Sequence, residues 1–138
     1  GSNDIQEKII KEGVKCYEHL ANILKPIIEK NEGELGLSSI GVVSGATYKE
    51  QSISLRKLLP SAPFLIPGYG AQGASAYDAC APLNLDKSFP GLRNFGLINA
   101  SRSILFTEKS YLVDSIEDWQ RAILTELNKT NNELINIK

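Results

Sequence analysis

Along this 138-residue chain the spacing of apolar residues switches repeatedly between helical and strand-like. Val14, Tyr17, Leu20, Ala21, Leu24 and Ile28 keep helical spacing. Pro26 lacks an N–H donor and predicts a kink or break there. A polar turn, Lys30 to Gly36, leads to a β-branched run, Ile40–Val43, which reads as the first strand. Thr47-Tyr48-Lys49-Glu50 fits a capping box. It opens a helix that carries Ile53, Leu55, Leu58 and Leu59 and stops at Pro60. Phe64–Ile66 is a short run suited to a buried strand. Ser75 and Asp78 repeat the cap pattern for a short helix toward Ala81. Pro82 to Asn94 is a connection with little periodicity, in which Asp86-Lys87 reads as a solvated pair. Phe95–Asn99 is the third strand. The last helix is expected to start near Asp114 or Ser115, to bury Ile116, Trp119, Ile123, Leu127 and Leu134, and to fray from Asn131 to Lys138.

Strands alternating with helices predict an α/β chain with a parallel sheet. Three strands are few for a sheet covered on both faces. A complete (β/α)8 barrel takes about 250 residues, well beyond this length. No internal repeat or low-complexity linker divides the chain.

Apolar residues at 42% and charged residues at 22% make a globular balance. The net charge of −1 gives no electrostatic reason to expect nucleic acid or an acidic membrane as a partner. No apolar run reaches membrane-span length, and no signal peptide is visible. Cys16 and Cys80, far apart, suggest neither a disulfide framework nor a metal site, and fit a reducing, cytoplasmic setting. The single histidine, His19, lies among polar neighbours and reads as a surface residue.

Ligands of α/β proteins sit at the C-terminal ends of the strands. Three such ends can be read: S-G-A-T (44–47), P-G-Y-G-A-Q-G (67–73) and N-A-S-R-S (99–103). In the second, Gly68, Gly70 and Gly73 permit positive φ and close approach, and backbone N–H groups of such a turn can form an anion nest. It does not match G-x-x-x-x-G-K-[ST], and by spacing alone it is equally a tight strand-to-helix turn. The third brings Ser101, Arg102 and a short helix start. A guanidinium fork and helix N–H groups both suit phosphate oxygens. Arg102 alone would be a solvated arginine; the two consecutive loops together point to phosphate binding. No Cys–His pair, metal-ligand cluster or Ser/His/Asp set has a reason to converge. Asp114, Glu117 and Asp118 fit a helix start.

I-G-V-V-S-G-A-T (40–47), F-L-I-P-G-Y-G-A-Q-G (64–73) and I-N-A-S-R-S-I (98–104) closely resemble, in order and interval, the last strands of the orotidine 5′-phosphate decarboxylase family, in its branch with a P-G-x-G-A-Q loop. The opening G-S-N-D-I-Q and Y-E-H-L-A (17–21) resemble the segment after the family's fifth barrel strand. The resemblance covers nearly all of residues 1–138 but only the C-terminal half of the family's domain. It implies half of a TIM barrel that converts orotidine 5′-phosphate to uridine 5′-phosphate and CO2 in pyrimidine synthesis, with no cofactor and no metal.

The same resemblance implies that Gln72 and Arg102 bind the substrate's phosphate and that Ser101 adds a backbone N–H. Pro67 would border the pyrimidine pocket. Tyr69 to Gly73, with Gly68 and Gly70, would form a loop closing over the site. Ser44 departs from the family, which commonly has an apolar residue there, and Ala100-Ser101 varies a position often Ser or Gly. The larger departure is that the family's D-x-K-x-x-D motif is absent, so no catalytic residue can be assigned in this chain. The expectation is an inactive half that needs the N-terminal half of the barrel, within a cytoplasmic enzyme that is a homodimer when complete. A half-barrel that binds a phosphorylated ligand without catalysis, or half of another phosphate-binding barrel enzyme, remains the alternative.

Overall fold

The computed structural model describes residues 3–11, 13–85 and 93–137. In chain order the elements are α1 (Asn3–Gln6), β1 (Ile9–Lys11), β2 (Val14–Lys15), α2 (Cys16–Lys30), β3 (Val42–Val43), α3 (Lys49–Leu58), β4 (Phe64–Pro67), α4 (Ala76–Cys80), β5 (Asn84–Leu85), β6 (Arg93–Asn94), β7 (Gly96–Asn99), α5 (Arg102–Leu105), α6 (Glu108–Tyr111) and α7 (Ile116–Ile135). The three expected strands form one parallel sheet in the order β3-β4-β7. Two small antiparallel pairs, β1–β2 and β5–β6, were not legible in the sequence. The second ties together the two ends of the 82–94 connection; Asp86-Lys87 lies outside the described residues.

The sheet has two unlike faces. Phe64 and Ile66 of β4 are buried against the helices, each contributing about 2 kcal/mol of apolar burial. Between them Leu65 turns the other way, by the period of two of a strand. Leu65 pairs in register with Val43 on one side and Leu97 on the other. All three are exposed, at 43%, 68% and 74% respectively. One apolar row therefore crosses the open face of the sheet.

Local chemistry explains where the helices depart from expectation. α2 runs through Pro26 to Lys30 without breaking. The proline removes one helical bond, to the carbonyl of the exposed Asn22. Of the predicted α2 stripe, Ala21 and Ile28 are buried, Leu20 and Leu24 are exposed, and Val14 belongs to β2. The Thr47–Glu50 capping box does not form: α3 starts after Tyr48 and has no side-chain cap. Its first turn is fastened instead by Ser52, whose hydroxyl donates to the Gly45 carbonyl (3.1 Å) and pairs with the buried Ser44 hydroxyl (2.8 Å). The polar residue at position 44 is thus satisfied inside the fold.

The Ser75 cap is present, with Asp78 N–H donating to the Ser75 hydroxyl at 3.2 Å. Ser115 caps α7 in the same way, accepting from Asp118 N–H at 3.1 Å. In α7, Ile123 and Leu134 are half-buried, whereas Ile116, Trp119 and Leu127 are exposed. The expected fraying from Asn131 does not occur: the helix continues to Ile135. There the Asn136 N–H and side-chain amide both donate to the Asn132 carbonyl.

Candidate phosphate site at the strand ends

β4 delivers Pro67, and a tight loop follows. Gly68, Gly70 and Gly73 all have positive φ (104°, 72° and 94°), the left-handed region that side chains disfavour. The loop closes on itself. Gly73 N–H donates to the Gly70 carbonyl (2.8 Å), Gly70 N–H to the Ala74 carbonyl (3.0 Å), and Ala74 N–H to the Gly68 carbonyl (3.3 Å). Gly70 and Gly73 therefore shape the loop while their own N–H groups are engaged within it. Gln72 Oε1 lies back over Gly68, 3.5 Å from where a Cβ would stand.

β7, the next strand, ends at Asn99. Ser101 then opens α5, its carbonyl accepting from Leu105 N–H at 2.8 Å. A cleft of about 70 Å³ lies between the two strand ends, lined by Pro67, Gly68, Tyr69, Ala71, Gln72, Asn99, Ala100, Ser101 and Arg102. Gln72 and Arg102 are exposed at its rim, and neither side chain has a hydrogen-bond or ion-pair partner among the described residues. A cation and an amide, unengaged at the mouth of a small cleft, can receive an anion.

Tyr69 does not face this cleft with its hydroxyl. Its ring is buried (8% exposed), and its O–H donates to Glu133 Oε2 of α7 at 2.6 Å. Burial, and then the hydrogen bond to Glu133, push the phenol up to about 12. The loop is thereby moored to the C-terminal helix.

At the opposite end of the sheet lies a residue that sequence reasoning missed. Arg56 of α3 is buried, with no carboxylate partner among the described residues. Its guanidinium donates to the carbonyls of Leu59, Pro60, Ala62, Pro82 and Phe95 and stacks over the Phe64 ring at 3.8 Å. Burial lowers its pKa to about 10, so it remains charged at neutral pH. It fastens the segments entering β4 and β7, at the N-terminal ends of the strands, away from the candidate site. Its sequence neighbours gave no sign of this, because its partners are main-chain carbonyls and two of them, Pro82 and Phe95, lie on distant segments.

Among the described residues no group of His, Cys, Asp or Glu could hold a metal ion, and no helix is long and apolar enough to cross a membrane. Cys16 and Cys80 are not joined in a disulfide, and His19 is exposed.

No family model matches the chain. Curated relatives do. An orotidine 5′-phosphate decarboxylase of Clostridium kluyveri is 34% identical over 137 residues, 99% of this chain and 44% of that protein. One from Clostridium botulinum is 42% identical over 111 residues, 80% of this chain and 36% of that protein. Among solved structures, UMP synthase of Leishmania donovani superposes with a TM-score of 0.59 at 28% identity, over 96% of this chain and 25% of that one. The chain spans less than half the length of the relatives it matches. With these matches and its parallel sheet, the chain belongs to the orotidine 5′-phosphate decarboxylase family and corresponds to the C-terminal part of that family's barrel.

Proposed function

We propose that residues 1–138, the region after the fifth barrel strand through the C-terminal helix, supply the phosphate-binding side of an enzyme that converts orotidine 5′-phosphate to uridine 5′-phosphate and CO2. The observation that carries this reading is the shared cleft of Gln72 and Arg102 at the ends of two adjacent parallel strands. In it, Arg102 offers a charge-assisted fork to phosphate oxygens, Gln72 offers its side-chain amide, and Ser101 offers a backbone N–H at the start of α5. Pro67 borders the pyrimidine side, and Gly68 opens the glycine loop on the phosphate side. The loop from Tyr69 through Gly70 to Gly73 shields the site from water.

Loss of the carboxylate leaves a carbanion on the pyrimidine ring. An ammonium among carboxylates can stabilise that charge and donate the replacing proton. Residues 1–138 contain no D-x-K-x-x-D segment to do so. The proposed partner is therefore the N-terminal half of the barrel, and the exposed row Val43–Leu65–Leu97 is the surface it would cover. The complete enzyme is proposed to be a cytoplasmic homodimer that needs no nucleic acid. The near-neutral charge and the two widely spaced cysteines agree with that setting. The missing Lys–Asp array favours one other reading, a half-barrel that binds a phosphorylated ligand without turnover.

The test is a titration of uridine 5′-phosphate and of uridine into the chain assembled with the other half, before and after Arg102→Ala. Loss confined to the nucleotide supports the assignment. Equal loss for nucleotide and nucleoside removes Arg102 from the phosphate site.

A further inference from the structure

We infer that Glu133, on the C-terminal helix, is a positioning residue for the phosphate loop and acts through the Tyr69 hydroxyl. The inference rests on the phosphate reading of Gln72 and Arg102. Between Gly68 and Gly73 the loop offers one large side chain, Tyr69, and the glycines on either side of it both have positive φ. Gly70, Ala71, Gln72 and Gly73 are exposed, so the buried Tyr69 is what fixes this stretch to the body of the protein.

Packing alone does not hold the ring. A cavity of about 280 Å³ lies between the loop and α7, bordered by Tyr69, Gly70, Ser103, Thr130 and Glu133. The 2.6 Å hydrogen bond to Glu133 supplies the direction that packing leaves open. Lys129, also beside this cavity, is bonded to Glu126 at 3.1 Å. From Tyr69 the restraint passes to Gly70, whose missing Cβ would stand 2.7 Å from Ser103 Oγ. Ser103 follows Arg102 directly. A side chain on α7 thus sets the spacing between the two groups at the cleft without touching the ligand.

The experiment uses the assembled barrel, with uridine 5′-phosphate and uridine as probes and thermal midpoints measured in parallel. Tyr69→Phe removes one hydroxyl, Glu133→Ala removes the acceptor, and Glu133→Gln keeps a weaker, neutral one. Tyr69→Phe and Glu133→Ala should each weaken nucleotide binding about tenfold and leave uridine affinity unchanged. Glu133→Gln should restore part of the loss, and the double variant Tyr69→Phe/Glu133→Ala should be no worse than either single one. Nucleotide affinity undiminished in Tyr69→Phe, or equal losses for nucleotide and nucleoside, would overturn the inference. A parent protein that binds uridine as tightly as its phosphate would overturn the phosphate reading beneath it.

Discussion

Gly70 and Ser103 meet so closely that a Cβ on the glycine would lie 2.7 Å from the serine hydroxyl and 3.0 Å from its Cβ. The glycine loop and α5 therefore touch where only a hydrogen atom fits, and Gly70 also has a φ of 72°. Gly70→Ala should cost about 1–2 kcal/mol from the left-handed backbone alone and should widen the cleft between Gln72 and Arg102. Thermal unfolding reads the first effect and nucleotide affinity the second. A variant unchanged in both would contradict the tight contact.

Arg56 gives a prediction about stability. Removing its guanidinium takes from the Pro60, Ala62 and Pro82 carbonyls their donor among the described residues, at about 1–3 kcal/mol for each group so stranded. Arg56→Met should therefore unfold the chain or lower its thermal midpoint sharply. Arg56→Lys should rescue little, since a single ammonium cannot reproduce the planar fork. Full rescue by lysine would mean that the charge alone matters.

The cap of α4 gives a prediction about pH. Hydrogen bonds from the Ser75 hydroxyl and then the Ser75 N–H hold the Asp78 carboxyl below its ordinary value, with help from the charge of Lys49. A carboxyl depressed in the folded state stabilises above its unfolded pKa, and that stabilisation is lost as pH falls through the folded pKa. NMR shifts of Ala79 should follow this titration, with a midpoint below the usual carboxylate range. In Ser75→Ala, which keeps the backbone N–H, the midpoint should rise toward that range; an unmoved midpoint would assign the shift to something other than the Ser75 hydroxyl.

The open sheet face governs behaviour in solution. Exposed apolar rows and unpaired strand edges favour association. The isolated chain should sediment as more than a monomer. Leu97→Asp, in the most exposed member of the row, should reduce self-association and also weaken docking of the other half. A monodisperse monomer from the parent chain would mean that this face needs no cover.

Period and punctuation made the sheet legible. Phe64–Ile66, closed by Pro67-Gly68, is a strand by its apolar run and its breakers, and the branched run Ile40–Val43 holds a strand in its second half, Val42–Val43. What shares a helix face was legible too, but not whether that face is covered. Leu20 and Trp119 keep helical spacing yet stand exposed, because spacing cannot say what lies opposite. The loops that follow β4 and β7 were readable from the glycines and from the polar residues after each strand. Tyr69–Glu133 and Arg56–Phe95 were not, being contacts across 64 and 39 residues. The Thr47 box does not form, since α3 begins one residue later than it requires, after Tyr48.

The most direct measurement is an assay of orotidine 5′-phosphate loss by residues 1–138 alone, and again after assembly with the barrel half that bears the D-x-K-x-x-D motif. The account predicts no turnover by the chain alone, turnover by the assembly, and a raised KM in the assembly carrying Arg102→Ala. Turnover by the 138 residues alone, or an assembly indifferent to Arg102, would contradict it.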